Sequence, residues 1–423
     1  MMDKTVAQTV SDCLCHSCGS CLYVCPRAAI TMEENEGGLL TPKIDETKCN
    51  GCGLCAKVCP GDHLDKTLPS ETDPFSGDVM AAYCGQAADK QVLRNGQSGG
   101  IATALLYHLL NANRIDKALV TEMPRDGSLR PVCRLTSDKK TIAEAQGSKY
   151  CPVPLNSSLP EYKVWKSTRY AVAGLPCHMH GLNNIIAIRS DLQAPICIGL
   201  ICDRTLSFAA IDYLIQRTRI ARREVSTLRY RDKLFGDWPG NVSVTRKDNA
   251  AVAVKTKHRM WCKNRFTPVR CYLCFDKMNV FADIVLGDAW GVKSDKEGYS
   301  VILARTARGH DIVQDALKAG VIHANLIEPE AVFRGQHIDV KRRDWTAFAA
   351  AWQRGGKRIP GFGIDARWQA DIGSTCLKTY SERITIAANL ANVTPRRDLV
   401  RNARNKYLLW RIKEKALRIA RFK

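Results

Sequence analysis

Two cysteine runs with identical spacing constrain this chain more than any other feature. They are Cys15-x-x-Cys18-x-x-Cys21-x-x-x-Cys25-Pro26 and Cys49-x-x-Cys52-x-x-Cys55-x-x-x-Cys59-Pro60. In such a run three closely spaced cysteines wrap one four-iron cubane, and the fourth, before proline, ligates the other cluster. The spacing therefore predicts two 4Fe-4S clusters, one held by Cys15, Cys18, Cys21 and Cys59 and the other by Cys49, Cys52, Cys55 and Cys25.

Zinc is the alternative ligand for so many cysteines. Zinc sites usually carry cysteine pairs separated by a longer gap, whereas each run here is a triplet followed by a single cysteine. The pattern therefore favours iron–sulfur chemistry and the transfer of single electrons. We predict a small dicluster ferredoxin domain over residues 1–65, in which His16 and His63 are surface residues rather than ligands.

Length, cysteine content and charge set wider bounds. A chain of 423 residues with 45% hydrophobic content predicts two or three domains. Its 19 cysteines, without an apolar signal segment between Met1 and Gln8, favour metal ligands over disulfides and a cytoplasmic location. The net charge of +21 favours an acidic redox partner, an anionic membrane surface or a polyanionic ligand. No nucleic-acid partner is predicted, because the basic residues lack a recognisable binding motif.

A larger α/β domain is predicted over residues 81–326, after a polar linker over residues 66–80. Apolar residues at helical spacing alternate there with short apolar strands, which is typical of α/β folds. The predicted elements are a helix over Ile101–Leu110 and strands over Lys117–Thr121, Arg169–Ala173 and Pro195–Ile201. The sequence shows neither a G-x-G-x-x-G motif after a strand nor a Walker P-loop, so neither a nicotinamide site nor nucleotide hydrolysis is indicated.

Two short polar motifs in this domain indicate possible ligand contacts. Ser98 is expected to be the N-cap of the helix, with Gly99 and Gly100 offering free amides to a phosphate or an electron-rich ring edge. A plain capped turn is the alternative. The second motif combines a cation with an aromatic ring, and an ordinary surface turn is its alternative: Gly147, Ser148, Lys149 and Tyr150.

Four further cysteines suggest a third cluster. Cys177 and Cys202 each follow a predicted strand, and ligands of α/β proteins gather at the carboxyl ends of strands. Together with the pair Cys271-x-x-Cys274 they supply four thiolates, enough for another 4Fe-4S cluster. The alternative is that Cys177 and Cys202 are ordinary buried cysteines.

The order of several motifs resembles the beta-subunit family of coenzyme F420 hydrogenases and dehydrogenases. The resemblance covers about residues 80–325, and the dicluster ferredoxin segment precedes it. Its motifs are Ser98-Gly-Gly-Ile-Ala-Thr103, Gly147-Ser-Lys-Tyr150, Gly174-Leu-Pro-Cys177, Tyr230-Arg231, Cys271-x-x-Cys274, Ala282-Asp-Ile-Val-Leu-Gly-Asp288 and Gly298-Tyr-Ser-Val-Ile-Leu-Ala-Arg-Thr306.

The resemblance implies a flavoprotein oxidoreductase that binds FAD beside a 4Fe-4S cluster. The residues that it would place at FAD are Ser98, Gly99, Gly100, Thr103, Gly147, Ser148, Lys149 and Tyr150. It assigns Cys177, Cys202, Cys271 and Cys274 to the adjacent cluster. The usual Gly-Thr-Pro-Cys-Gln reads Gly174-Leu-Pro-Cys-His178 here, which puts the surroundings of this cluster in doubt. His178 and His180 are interpreted as surface histidines, with proton donation as the alternative.

The resulting hypothesis is a relay from a ferredoxin-like donor through the clusters to FAD and on to a small organic substrate. Lys149 is the predicted catalytic residue, because its cation would stabilise negative charge on the reduced flavin. Family members of uncharacterised specificity suggest surface-polysaccharide metabolism as a setting. The alternatives are a coenzyme F420 oxidoreductase or electron-input subunit of a larger complex, and a non-catalytic electron-carrier module.

The C-terminal region, residues 327–423, ends in a basic segment predicted to be helical over Leu399–Phe422. Four apolar side chains fall on one stripe at spacings of three and four, among many lysines and arginines: Leu409, Ile412, Ala416 and Ile419. This pattern is typical of a helix on an anionic membrane surface or on a partner, and would place the protein peripherally at the inner face of the membrane. The alternative is that the stripe packs on the protein's own domain.

Overall fold

The N-terminal part of the fold is a small domain built around the two cysteine runs. The computed structural model describes residues 5–64, 68–69, 71–362, 374–392 and 395–420. The elements of this domain are α1 (Ala7–Ser11), α2 (Ser20–Val24), β1 (Ile30–Glu34), β2 (Leu40–Ile44) and α3 (Leu54–Lys57). Strands β1 and β2 form an antiparallel pair. Gly19 precedes α2 with a φ of 84°, and Gly53 precedes α3 with a φ of 75°. Each cysteine run therefore turns through the left-handed conformation, which glycine adopts readily.

Two further sheets form the larger body. Its strands are β3 (Ala81–Ala87), β4 (Lys117–Glu122), β5 (Val132–Thr136), β6 (Tyr170–Gly174), β7 (Ile196–Leu200), β8 (Val225–Asp232), β9 (Asn241–Arg246), β10 (Ala251–Val254), β11 (Ile284–Asp288), β12 (Ser300–Ala304) and β13 (Ile322–Ile327). The main sheet has the order β13-β3-β12-β11-β7-β6-β4-β5, and the smaller one has the order β10-β9-β8. Strands β11, β7, β6 and β4 run parallel at the centre of the main sheet, and the outer pairings are antiparallel.

Helices cover both faces of the main sheet and extend beyond it. They are α4 (Lys90–Asn95), α5 (Ile101–Asn111), α6 (Lys139–Glu144), α7 (Tyr162–Trp165), α8 (Pro176–Ala187), α9 (Ala209–Ile215), α10 (Thr256–Cys262), α11 (Val269–Tyr272), α12 (Ala307–Lys318), α13 (Pro329–Gly335), α14 (Ile338–Arg354), α15 (Ser374–Asn392) and α16 (Arg396–Ala420). Among the described residues, no helix is long and apolar enough to cross a membrane.

The main sheet separates two hydrophobic cores. Ala118 and Val120 of β4 pack with α5 and α12, whereas Leu119 between them packs with α8 and α14. This alternation is the period of two expected of a strand whose faces are both buried. Both faces of the parallel centre of the sheet are therefore covered, and a ligand can approach it at the ends of the strands.

Sequence periodicity located the main elements correctly. The helix expected over Ile101–Leu110 is α5, and the strands expected near 117, 169 and 195 are β4, β6 and β7. The mixed α/β body behind a ferredoxin-like domain is thus confirmed. The basic C-terminal helix is present as α16.

The ferredoxin-like domain is seated on the body by buried polar contacts. The side-chain amide of Asn156 donates to Ser20 Oγ at 2.9 Å and to the His178 carbonyl at 2.9 Å, and its backbone amide donates to the Cys18 carbonyl at 2.9 Å. Gly181 of α8 faces Ser20 so closely that a Cβ there would overlap the Ser20 hydroxyl. In the segment between the domains, Phe75 is fully buried against the body.

Candidate functional site

The first candidate metal centre gathers cysteines from both runs. Burial raises the pKa of the Cys21 thiol well above its usual value, and the thiolates of Cys18, Cys15 and Cys59 raise it further. Burial likewise raises the pKa of Cys59 to about 12, and the thiolate of Cys18 raises it further. The structure therefore brings the fourth cysteine of the second run to the first three of the first run.

The second candidate centre has the reciprocal arrangement. The pKa of Cys55 is raised by burial and then by the thiolates of Cys52 and Cys25. Cys25 thus lies with the second run, and its sulfur also accepts from the Ala29 amide at 3.3 Å. Cys49 is half-buried in the loop that precedes α3, where its amide donates to the Asp45 carbonyl at 3.0 Å.

The third group lies at the carboxyl edge of the main sheet. Cys177 follows β6 as the second residue of α8, Cys202 follows β7, Cys271 is in α11 and Cys274 comes just after it. Burial raises the pKa of Cys177 well above its usual value, and the thiolates that raise it further belong to Cys202, Cys18, Cys271 and Cys274. All four predicted ligands are therefore neighbours. The effect of the Cys18 thiolate on the pKa of Cys177 indicates that the first centre lies close to the third.

These three groups suit iron–sulfur clusters. Burial raises the pKa of several of these thiols, so a group of them ionises together only when bound positive charge compensates. Backbone amides already point at sulfur: Ser17 donates to Cys15 at 3.3 Å and Thr205 donates to Cys271 at 3.5 Å. Among the described residues, no three His, Cys, Asp or Glu side chains are grouped tightly enough to hold a single metal ion.

A cavity of about 1100 Å³ opens at the same edge of the sheet. The carboxyl ends of β6, β7 and β11 line it through Gly174, Leu200 and Asp288, as is usual for ligand sites of parallel sheets. Cys202 and Cys271 also line it, so the third group of cysteines shares a wall with the cavity. The predicted flavin residues in the same lining are Ser98, Gly100, Thr103, Gly147, Ser148, Lys149 and Tyr150.

The Ser98 turn differs from the expectation. Ser98 does not cap α5; its hydroxyl donates to the Tyr299 carbonyl, and Gly100 is the N-cap residue. The Gly99 amide donates to Ser300 Oγ at 3.0 Å and is not free, so Gly99 anchors the turn to β12. No side chain caps α5, and its first turn, Ile101 to Thr103, faces the cavity with the unpaired amides of a helix N-terminus.

Lys149 is the titratable group of the second motif. Its ammonium donates to the carbonyls of Ala145 at 2.6 Å and Gln146 at 3.4 Å, in a half-buried position on the cavity wall. Burial lowers the pKa of Lys149 to about 7, with Cys151 opposing and Arg229 adding to the shift. Such a pKa allows the group to exchange a proton near neutral pH. The turn is held by Gln97, whose side-chain oxygen accepts from the Ser148 amide.

Two arginines of the cavity were not assigned a role from sequence. Arg231 donates to both oxygens of Asp288, at 2.6 and 2.8 Å, and this pair is held further by Trp238 Nε1 at 3.1 Å from Asp288. Arg259 is buried beneath the ring of Tyr150, 5.5 Å from its centroid, and its Nε has no partner. Tyr230-Arg231 belongs to the motifs of the family resemblance without an assigned role, and a single Arg259 in a basic sequence carries no signal of its own.

A cationic group borders the cavity near the third centre. Asp203 pairs with Arg204 at 2.9 Å and Lys263 at 3.1 Å. Burial alone would raise the pKa of Asp203, but the charges of Arg204, Lys263, Lys341 and Lys277 outweigh it and hold that pKa low. One carboxylate thus faces four cations, which gives this end of the cavity a positive potential suited to anionic ligands.

His178 and His180, predicted as surface histidines, are in fact interior residues, whereas His16 and His63 are half-buried. His178 and His180 are buried; His178 contacts the Val153 carbonyl at 3.0 Å and His180 contacts Asp276 at 2.8 Å. His16 Nε2 is buried without a partner. Burial lowers the pKa of His178 to about 4 and that of His16 well below its usual value. The partners of His178 and His180 are distant in sequence, namely Val153 and Asp276, so sequence position alone could not indicate this burial.

The chain combines a ferredoxin-like domain, which holds two cysteine groups, with a third cysteine group that borders a cavity. This combination defines the class of iron–sulfur oxidoreductases. Family models support this class. Residues 14–62 match the 4Fe-4S dicluster domain, and residues 82–160 and 167–330 match the N-terminal and C-terminal models of the coenzyme F420 hydrogenase/dehydrogenase beta chain. The chain therefore belongs to the coenzyme F420 hydrogenase/dehydrogenase beta-subunit family, with a 4Fe-4S dicluster domain ahead of the family region.

Individual relatives agree with this assignment. The chain is 23% identical over 263 residues to coenzyme F420 hydrogenase subunit beta of Methanosarcina barkeri, covering 60% of this chain and 85% of that protein. It is 25% identical over 323 residues to one component of the F(420)H(2) dehydrogenase of Methanosarcina mazei, covering 75% and 87%. A chain in the solved F420-reducing [NiFe] hydrogenase complex of Methanosarcina barkeri shares the fold, with a TM-score of 0.51, 19% identity and coverage of 68% and 98%.

Proposed function

We propose that this chain is an iron–sulfur flavoprotein that accepts electrons from a ferredoxin-like donor and delivers them to an organic substrate at the cavity. The three cysteine groups hold three 4Fe-4S clusters, which carry single electrons. FAD, when bound, supplies the conversion of single electrons into two-electron hydride chemistry. The chain's own residues hold these groups in order, from the ferredoxin-like domain to the cavity.

The observation that carries this proposal is the shared wall between the third centre and the cavity. Cys202 and Cys271 line the same cavity as Ser98, Thr103 and Lys149. A ligand in the cavity therefore lies beside the third group of cysteines rather than across the body from it. This arrangement explains why a carrier domain and a ligand cavity occur in one chain.

Each part of the lining suits a part of FAD. The uncapped first turn of α5 offers backbone amides to a phosphate, and Arg259 offers a buried guanidinium without a partner at its Nε. Lys149, with a pKa lowered by burial to about 7, supplies a proton or a positive charge at the reducible ring. Tyr150 is held on edge against Tyr230, with ring centroids 5.3 Å apart, and limits the width of the site.

A second candidate function is oxidation or reduction of coenzyme F420, within a larger complex or alone. The relatives named above carry F420 in their names, and the cations around Asp203 favour a ligand with phosphate and carboxylate groups. In this case the chain would be the electron-input subunit of an assembly. A role in surface-polysaccharide metabolism stays a prediction from the resemblance alone.

The experiment is a cofactor inventory of the anaerobically purified full chain. We expect about twelve iron atoms, as three four-iron clusters require, and one FAD per chain. Cys202→Ser should remove about four of these irons and leave the ferredoxin-like domain loaded. About eight irons and no flavin after reconstitution would contradict the proposal and leave the non-catalytic electron carrier.

The same preparation separates the two candidate substrates. With a chemically reduced viologen as donor, loss of the deazaflavin absorbance of added F420 would assign the second function. A flavin that is reduced by the donor but leaves F420 unchanged would assign a different organic substrate. Ser11→Ala, at an exposed residue that does not line the cavity, serves as the matched control for handling losses.

A further inference from the structure

Arg270 occupies an unusual position between the two domains. It lies in α11 directly before Cys271 and is only 1% exposed. One terminal nitrogen of its guanidinium donates to the Leu273 carbonyl at 3.1 Å, and the other donates to the Pro60 carbonyl at 3.1 Å. Pro60 follows Cys59, and Leu273 lies between Cys271 and Cys274. The two terminal nitrogens of the Arg270 guanidinium form a fork, and this fork therefore links the loop of the first centre to the loop of the third.

The charged neighbours of Arg270 come from these same two centres. Burial lowers the pKa of Arg270, and the thiolates of Cys274, Cys271, Cys59 and Cys177 act against that shift. In return, Arg270 is among the charges that lower the pKa of Cys15, Cys18 and Cys274. The two hydrogen bonds of the guanidinium thus reach the loop after Cys59, a ligand of the first centre, and the loop between Cys271 and Cys274, ligands of the third.

Among the residues that the structure describes, no carboxylate forms an ion pair with this buried charge. A buried guanidinium is unfavourable unless hydrogen bonds and opposite charge offset its desolvation. Both observed partners are neutral carbonyls, the Nε has no partner, and the Phe362 ring covers the group with its centroid 4.4 Å away. A four-iron cluster with four thiolate ligands carries net negative charge, which increases when the cluster is reduced.

We propose that Arg270 is a positioning residue of the electron relay: its fixed charge stabilises the added electron on the first and third clusters, and its fork holds the two cluster loops together. This inference rests on the proposed function only in requiring that both clusters are present. Electrons arriving at the ferredoxin-like domain are then drawn toward the pair of clusters beside the cavity. The two hydrogen bonds of the guanidinium go to the loops of the first and third clusters, which leaves the second cluster as the entry point.

The test is a potentiometric titration of the intact protein followed by electron paramagnetic resonance, comparing wild type with Arg270→Gln and Arg270→Lys. Cys55→Ser and Cys202→Ser assign the signals to individual clusters. Removing a positive charge makes reduction less favourable. In Arg270→Gln we therefore expect the potentials of the first and third clusters to become more negative, while that of the second stays unchanged. Arg270→Lys, which keeps the charge but loses the fork, should shift the same two clusters less.

Arg305→Gln is the matched control. Arg305 is also buried, at 8% exposure, and also donates to backbone carbonyls, those of Asp78, Ser76 and Met278. No cysteine is among the charges that shift its pKa. Its variant should leave all three potentials unchanged. The inference is overturned if Arg270→Gln binds three clusters with unchanged potentials, or if all three potentials move equally. Should Arg270→Gln lose iron, Arg270→Lys is titrated in its place, and a shift of the second cluster as large as that of the other two overturns the inference. A wild-type protein without the third cluster would instead contradict the proposed function.

Discussion

Lys149 carries an ammonium group into the wall of the cavity, where two backbone carbonyls accept hydrogen bonds from it. Sequence identified the residue through its motif but could not give its protonation, because that depends on burial produced by distant segments. Ser98 shows the same limit. Its identity and place before a helix predicted an N-cap, yet its hydroxyl is taken by the Tyr299 carbonyl of a segment far along the chain. A tertiary hydrogen bond therefore overrides the local preference of serine for the N-cap position.

Lys149→Met is expected to slow turnover by on the order of 10²-fold, the usual contribution of a positioned acid or base. Because burial lowers the Lys149 pKa to about 7, the group is protonated below that pH and neutral above it. If its protonated form acts, kcat/KM falls as pH rises through about 7 in wild type, and this limb disappears in Lys149→Met. The measurement is donor-dependent substrate reduction across pH.

Lys149→Arg is the control for that experiment, since arginine keeps its charge throughout this pH range. Its profile should lack the same limb while retaining part of the rate. Full flavin retention with unchanged turnover in Lys149→Met would exclude the catalytic role.

Helix α16 presents different faces to the body and to solvent. Val400, Ala403 and Tyr407 are buried against α9 and its surroundings, so the helix packs on its own domain through this face. Leu409 and Ile412, on the predicted apolar stripe, are 60% and 64% exposed. The alternative that the stripe packs on the body is therefore wrong for these two residues; the side chains of Ala416 and Ile419 lie outside the described residues.

We propose that this exposed stripe contacts an anionic membrane surface. Exposed cations surround it, namely Arg401, Arg404, Lys406, Arg411 and Lys413. Basic residues beside exposed leucine and isoleucine are typical of a helix lying at a lipid interface. The full chain should therefore float with anionic liposomes, less so at high salt, and not with neutral ones.

Leu409→Glu combined with Ile412→Glu should weaken that binding by about tenfold or more, because two large apolar side chains no longer enter the interface. Leu326→Glu is the matched control, since Leu326 of β13 is 70% exposed away from α16. Equal flotation of the double variant and wild type would rule out this contact.

At the scale of the whole molecule, the seating of the ferredoxin-like domain decides whether its clusters can serve the cavity. Asn156, Ser20 and Gly181 meet at this interface, and Arg270 joins the cluster loops across it. The domain that the cysteine runs predicted is thereby fixed to a particular face of the body, next to α8. Electron transfer depends on this placement because the first and third centres become neighbours only there.

Gly181→Ala tests this seating. Alanine favours a helix by about 1 kcal/mol over glycine, but its Cβ would overlap Ser20 Oγ, so either that hydroxyl leaves its hydrogen bond with Asn156 or the domain shifts outward. We expect a net loss of about 1–3 kcal/mol in the free energy of unfolding and slower reduction of the third cluster. Chemical denaturation and stopped-flow reduction measure the two effects.

Gly361→Ala is the comparison, because a Cβ at that position meets no atom of the described residues within 4 Å. It should leave both measurements close to those of wild type. Reduction at the wild-type rate in Gly181→Ala would show that the interface tolerates the added methyl group.

The sequence by itself determined the dicluster domain, the alternation of helices and strands and the candidate third set of cysteines, since each depends on spacing along the chain. Tertiary structure decided the rest. Cys177, Cys202 and Cys271 become neighbours only because parallel strands end at one edge, and Arg270 becomes a link only because Pro60 lies against α11. The buried histidines and the outward face of α16 were decided in the same way. Burial and electrostatic coupling arise between segments distant in sequence, and no local pattern encodes them.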